Sequence, residues 1–322
     1  MEAPPVPRVI LALLALLGLA ATVGCRHAPR HDSLVVALAD GRAFVAEIDH
    51  PARARGAGVL LLGGGYAHDP GWSVPGTVEA DGRTVALTIS GEPHTDAPRL
   101  AAALTARGFV VMRASTVPMG STRAAAVGFE EGVELAAAAL RALRAQPGVA
   151  RVYLVGHSLG ATRAALIADA DVAGIVCLAG AYLSYTADSP ARLAAAAGGD
   201  PVARTAGVDL DSDGAISGWE AAGATLEPIA APEFRPGVPW AIDRLRGLGT
   251  PVLAIFGGLD PISLHGPAVA GLPRAEVVYL AGLGHQLGEE AAGEEWPRVG
   301  PIAPKVVQMV AEWLDARDVN PD

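Results

Sequence analysis

Ser158 stands between two glycines in the segment Val152-Tyr153-Leu154-Val155-Gly156-His157-Ser158-Leu159-Gly160, after an apolar run and before the Ala-rich stretch 161–170. A serine hydroxyl is a weak nucleophile until a neighbouring base takes its proton. A sharp turn from strand to helix would hold such a serine exposed at the sheet edge, with glycines leaving room for close packing. The helix N-terminus behind it favours developing negative charge. The pattern is short and the chain holds 39 glycines, so the strand before it and the helix after it carry the inference. The plainer alternative is a serine capping an ordinary helix.

A base and an acid are expected downstream, in the order serine, acid, histidine. Thr250-Pro251-Val252-Leu253-Ala254-Ile255-Phe256-Gly257-Gly258 reads as a buried strand, and Leu259-Asp260-Pro261 follows it. Ala275 to Leu280 reads as another strand, followed by Ala281-Gly282-Leu283-Gly284-His285. Loops that follow the C-terminal ends of parallel strands meet at one sheet edge. His285 would therefore take the Ser158 proton, with Asp260 holding the imidazole in the right tautomer. Asp260 could instead cap a turn before Pro261, and His285 could be an ordinary loop histidine; Asp243 and His265 are the substitutes. His157 adjoins the nucleophile in sequence but is expected to point away from it and to pack.

Acyl transfer also needs backbone donors for an oxyanion. One is expected from Leu159, the residue after the nucleophile. The second is expected from Gly64 and Gly65, where Val59-Leu60-Leu61-Leu62 runs into Gly63-Gly64-Gly65-Tyr66. A phosphate-binding reading of these glycines fails, because neither G-x-G-x-x-G nor G-x-x-x-x-G-K-[ST] is met there.

A different chemistry lies in Asp209-Leu210-Asp211-Ser212-Asp213-Gly214-Ala215-Ile216-Ser217-Gly218-Trp219-Glu220. Carboxylates fall at positions 1, 3, 5 and 12, with glycine at 6, which is the ligand spacing of an EF-hand loop. Asp209, Asp211, Asp213, the Ala215 carbonyl, Ser217 and Glu220 are the expected calcium ligands. Four crowded carboxylates repel unless a hard cation neutralises them. The alternative is a solvated acidic turn. A single loop away from Ser158 suits a structural cation, and no organic cofactor is expected.

The elements that must position these groups alternate. Gly108 to Arg113, Arg151 to Val155 and Val172 to Ala179 read as strands, with helices over Val127 to Ala145 and Gly160 to Ala170. Continuous apolar strands separated by helices imply a mostly parallel sheet buried on both faces. Two hairpins precede or interrupt it: Leu34 to Leu38 with Ala43 to Ile48, and Thr77 to Glu79 with Thr84 to Ile89. Asp40-Gly41 and Asp81-Gly82 mark their turns. The sheet pattern stops between about 181 and 249. Residues 34–322 thus form one α/β domain with that insertion as a cap.

With these residues in place, the chain resembles an α/β-hydrolase, closest to the esterase and serine-aminopeptidase-like branch with an inserted cap. The resemblance covers roughly Ala57 to Leu314. It rests on Gly63 to Gly65, the Gly156-His157-Ser158-Leu159-Gly160 elbow, Gly257 to Asp260, Gly284-His285 and a closing helix after Gly300-Pro301-Ile302-Ala303-Pro304. It implies a central sheet flanked by helices and a serine hydrolase acting on carboxylic esters or related acyl compounds. Thioester or peptide substrates fit the same machinery. The histidine that often precedes the oxyanion glycines is replaced by Gly63, and an Arg-Asp-x-Arg-Gly-like stretch by Arg113-Ala114-Ser115-Thr116. A different class of function, a calcium-stabilised surface lipoprotein that uses the fold only to bind, stays open at this point.

The N-terminus sets the compartment. Arg8 precedes Val9 to Val23, fifteen residues without a charge, which suits a signal-peptide core better than a membrane span. Thr22-Val23-Gly24-Cys25 resembles a bacterial lipoprotein cleavage site. Residues 1–24 then read as signal peptide, Cys25 as the lipidated residue and 25–33 as a tether, with the protein in the cell envelope. Simple secretion and an uncleaved anchor are the rivals. Cys177, the only other cysteine, falls in an apolar strand, so no disulfide framework exists. The net charge of −10 and the lack of a basic run argue against nucleic acid. Glu289-Glu290 reads as part of a solvated acidic face.

Two outcomes follow from these motifs. Excess calcium is expected to raise the melting temperature, by mass action worth about 2.7 kcal/mol at a hundredfold excess over the dissociation constant. That constant is expected at roughly 10⁻⁴ to 10⁻³ M; calorimetry showing neither binding heat nor a melting shift would leave a solvated turn. Lipid on Cys25 is expected to hold the mature protein in the membrane fraction and Cys25→Ser to release it, so soluble wild-type protein with another mature start would exclude the anchor.

Overall fold

The computed structural model describes residues 28–64, 68–80, 83–121, 129–180, 241–260, 269–291 and 298–319. The chain opens with an antiparallel pair, β1 (Arg30–Ala37) and β2 (Ala43–His50), joined at Asp40-Gly41. Gly41 has φ 88°, and its N–H donates to the Leu38 carbonyl at 3.1 Å. Buried and part-exposed residues alternate along β2, as expected of a sheet covered on one face.

Next come β3 (Ala57–Leu62), the short β4 (Ser73–Val74), β5 (Thr77–Ala80), β6 (Arg83–Ala86) and β7 (His94–Thr95), then α1 (Ala97–Thr105). The second expected hairpin is β5 with β6; the strand stops at Ala86, and Asp81-Gly82 lies outside the described residues. The core then alternates: β8 (Val110–Pro118), α2 (Phe129–Arg144), β9 (Arg151–His157), α3 (Leu159–Ile167) and β10 (Val172–Leu178). After residues 181–240, which are not described, follow α4 (Ala241–Leu248), β11 (Val252–Gly257), β12 (Ala275–Leu280), β13 (Glu290–Ala291), β14 (Arg298–Val299) and α5 (Pro304–Val319).

Eight strands form one sheet in the order β1-β2-β8-β3-β9-β10-β11-β12. From β8 to β12 all neighbours are parallel, and β2 runs against β1 and β8. The sequence reading ended the β8 strand at Arg113. The strand continues because its far half still pairs with β2, out to Phe44 opposite Pro118. α3 stops at Ile167 rather than Ala170: Ala168 is extended, and the Asp169 carboxylate accepts two hydrogen bonds from Arg144 at 2.8 and 2.6 Å.

Side chains alternate between two cores, one on each face. Leu60, Leu154, Ile175, Ala254 and Phe256 join α2, α3 and α4 through Leu140, Ala164 and Leu245. Val59, Leu61, Val155, Val176 and Ile255 join α1 and α5 through Leu100, Leu104, Val310 and Leu314. This two-sided burial is why the strands read as unbroken apolar runs. The last part of the expected insertion, α4, belongs to the first core. α5 is tied down by buried Asp318, whose carboxylate meets Arg55 Nε at 2.5 Å and Arg151 Nη2 at 2.8 Å. Among the described residues no helix is long and apolar enough to cross a membrane.

Candidate active site

The turn from β9 into α3 holds Ser158 at φ 52° and ψ −124°, a conformation disfavoured for a residue with a side chain. Its N–H donates to the Leu178 carbonyl at the end of β10, at 2.8 Å. The turn is this tight because glycine flanks it. A Cβ on Gly156 would collide with the Gly160 backbone, and a Cβ on Gly160 with the Leu62 and Gly63 carbonyls.

His285 lies in the loop after β12. Its Nε2 is 2.9 Å from Ser158 Oγ and its Nδ1 is 2.9 Å from Asp260 Oδ2. All three residues are buried. An ionised Asp260 only accepts, so Nδ1 carries the proton and donates to it. Nε2 is then left to accept from the Ser158 hydroxyl. The loops of Asp260 and His285 are locked together: Leu259 N–H donates to the Leu283 carbonyl at 3.0 Å, and a Cβ on Gly257 would collide with the Leu283 and Gly284 carbonyls.

Burial opposes protonation of His285 and is the largest single influence on it. The charge and hydrogen bond of Asp260, with Glu290 behind, outweigh it and hold the imidazole pKa above its ordinary 6.5. Glu290 corrects the reading of Glu289-Glu290 as a solvated face. Glu289 is exposed, but the Glu290 carboxylate is half-buried in space left by Gly284, where a Cβ would collide with it. Burial first, and the charge of Asp260 second, raise its pKa.

His157 points away from Ser158, as expected, and does more than pack. Its Nε2–H donates to the His285 backbone carbonyl at 2.9 Å. Burial, with the nearby His285, pushes its pKa down to about 4, so the ring is neutral near pH 7. His68 is likewise buried and held at about 4, chiefly by desolvation. Its ring rests against Gly63, where a Cβ would collide with it, so an imidazole reaches the glycine segment from five residues downstream. The His68 N–H and carbonyl bond Thr116 on β8, each at 3.0 Å.

Leu159 is the first residue of α3, where a backbone N–H has no partner within the helix. Gly64 lies against Ser158: a Cβ there would sit 3.3 Å from Ser158 Cβ. Asp243 is on α4, exposed and paired with Arg246 at 2.5 Å. Gly65, His265, Cys25 and the ligand set Asp209, Asp211, Asp213, Ala215, Ser217 and Glu220 lie outside the described residues. Cys177 is buried in β10, its thiol pushed up to about 12 by desolvation.

No family model matches the chain, and no curated protein matches it in sequence. Solved structures do resemble it. Est1E from Butyrivibrio proteoclasticus superposes with a TM-score of 0.52 at 13% identity, covering 90% of this chain and 98% of that one. The proline iminopeptidase of Mycobacterium smegmatis gives 0.51 at 18% identity, over 90% of this chain and 100% of that one. Brefeldin A esterase, described as a bacterial homologue of human hormone sensitive lipase, gives 0.51 at 20% identity, over 99% and 87%. The chain has the α/β-hydrolase fold, a mostly parallel eight-stranded sheet between helices.

The carboxylate of Glu290 favours the protonated form of His285. A His285 that serves as proton acceptor must be neutral to do so, and activity that depends on it is expected to rise with pH through a midpoint above 6.5. Glu290→Gln removes one negative charge and is expected to move that midpoint to lower pH. Profiles of kcat/KM against pH for the two proteins check this, and an unmoved or raised midpoint would exclude the role given to Glu290.

Proposed function

We propose that the chain is a serine hydrolase acting on carboxylic esters or related acyl compounds. The single observation that carries the reading is the buried hydrogen-bonded series Ser158, His285, Asp260, at 2.9 Å for each link. Ser158 Oγ attacks the acyl carbonyl carbon while its proton passes to His285 Nε2. The Leu159 N–H and the glycine segment at Gly64 and Gly65 receive the oxyanion. The tetrahedral species collapses, the bond to the leaving oxygen breaks, and that oxygen takes the proton from His285. Water then repeats the sequence on the acyl-enzyme, giving its proton to His285 and releasing the acid and Ser158.

Asp260 stays ionised throughout and stabilises the imidazolium that forms twice per turnover. His157 acts through the backbone, holding the His285 carbonyl so that the ring keeps its distance to Ser158. We also propose that calcium bound by the 209–220 loop stabilises the cap and that Cys25 carries the lipid anchor of an exported protein. The support for both is the spacing of residues in the sequence.

Ser158→Ala and His285→Ala are each expected to lower turnover of a p-nitrophenyl ester by about 10³-fold or more, with Asp260→Asn leaving a residue of activity. A fluorophosphonate probe is expected to label the wild type and not Ser158→Ala. Unlabelled wild-type protein would leave the fold as a binding scaffold and overturn the hydrolase reading.

A further inference from the structure

Arg163 has no part in the chemistry described so far, yet it is 3% exposed, inside α3, a little over one helical turn beyond Ser158. Every residue of α3 from Leu159 to Ala165 is buried, and the others are small or apolar apart from Thr162. Among the described residues no carboxylate pairs with the guanidinium, and its Nε has no partner. Removing an ion from water without a counter-charge is expensive, and even an arginine responds: desolvation brings its pKa down to about 10. A leucine or methionine would fill the same space without that cost. The one hydrogen bond it makes among the described residues is therefore informative. Nη1 donates to the Gly64 carbonyl at 3.2 Å, across a gap of 99 residues in sequence.

We propose that Arg163 is a positioning residue for the glycine segment of the oxyanion site, an inference that rests on the serine-hydrolase reading above. Gly63 and Gly64 have no side chains to anchor them, and glycine backbone is the freest of all. His68 braces one part of this segment by packing on Gly63, and Arg163 braces the next by holding the Gly64 carbonyl. A fixed carbonyl fixes the plane of its peptide. The segment so held lies against Ser158, where the tetrahedral oxygen must be received. A buried positive charge beneath it also favours the negative charge that develops there. Arg163 itself touches neither substrate nor reacting atoms.

The far side of the guanidinium supplies an independent handle. Gly132 on α2 packs on it so closely that a Cβ there would fall 2.6 Å from Arg163 Cζ and Nε. Gly132→Ala should displace the guanidinium, the movable end of a long side chain, while keeping its charge. In a helix the same substitution otherwise stabilises, because alanine has less backbone freedom to lose on folding.

The experiment measures kcat and KM for p-nitrophenyl acetate, per active site titrated with a fluorophosphonate, alongside melting temperature. Arg163→Met is expected to lower kcat about tenfold or more with KM changed less, since misplacement of about an ångström is enough for losses of that order. Gly132→Ala is expected to lower kcat with its melting temperature unchanged or raised. Added to Arg163→Met, it is expected to have no further effect on kcat. A merely structural arginine would instead lower the melting temperature and leave kcat per titrated site intact. If both single variants keep the wild-type kcat, the proposal is wrong; should Arg163→Met not fold, Gly132→Ala decides alone. Wild-type protein that takes up no probe would sink the hydrolase reading, a result distinct from normal turnover in the Arg163 variants.

Discussion

The backbone at Ser158 cannot relax, and much else in the molecule is arranged to keep it that way. A side-chain-bearing residue at φ 52° costs on the order of 1–3 kcal/mol, sustained only where the surroundings leave no alternative. Here β9 enters the turn between β3 and β10, the Ser158 N–H is taken by the Leu178 carbonyl, and the next turn of α3 packs directly on the end of β3. Opening the turn would therefore unpair the middle of the sheet. The other non-glycine residues with positive φ among those described are Trp72, Ala179 and Leu287. They follow this same pattern of location: Trp72 stands beside His157, Ala179 just after β10 and Leu287 just after His285. Strain is gathered at the edge where the sheet presents its functional groups.

A second layer of constraint works through neighbouring loops. The loop of His285 is bound to that of Asp260 through Leu259 and Leu283. It is bound to the segment before α5 through the Ala303 N–H and the Leu287 carbonyl at 2.9 Å. His157 closes the circuit from the strand that carries Ser158 to the backbone that carries His285. The Ser158–His285–Asp260 links sit at ordinary hydrogen-bond lengths, and the loops that carry them are bound to one another through backbone.

The strands were legible in the sequence because burial on both faces leaves continuous apolar runs. The apolar run Ala275–Leu280 coincides with β12, and those of β3, β9, β10 and β11 match their strands within a few residues. Their order was not legible: nothing local in Val110–Pro118 says that it sits between β2 and β3. Helix α1 leaves a weaker signal, carried by Pro98 near its start and the spacing of Ala97, Leu100, Ala101 and Leu104. Ser158, Asp260 and His285 could be picked out because each follows an apolar strand in the required chain order, and the fold brings them together. His68, Glu290 and Arg163 could not, for a common reason: burial of a polar side chain is a tertiary property. Glu290 sits beside exposed Glu289 and reads as surface. Arg163 alone carried a hint, since a charge in a helix of small residues with no polar face must be enclosed.

The two neutral imidazoles near the glycine segment carry a consequence for the protein's tolerance of acid. In an unfolded chain each would bind a proton near pH 6.5, but His68 and His157 do not until about 4 in the folded one. Between those values the unfolded state holds more protons, so the stability these rings allow above pH 6.5 drains away as the pH falls towards 4. His285 works in the opposite sense. Its raised pKa adds stability below 6.5 that is lost as pH rises through its folded value, so it offsets part of the deficit. The balance of two against one leaves the wall behind Ser158 as a place where acid finds purchase. Acidification towards 4 thus loads protons onto rings packed around Ser158 and its glycine neighbours.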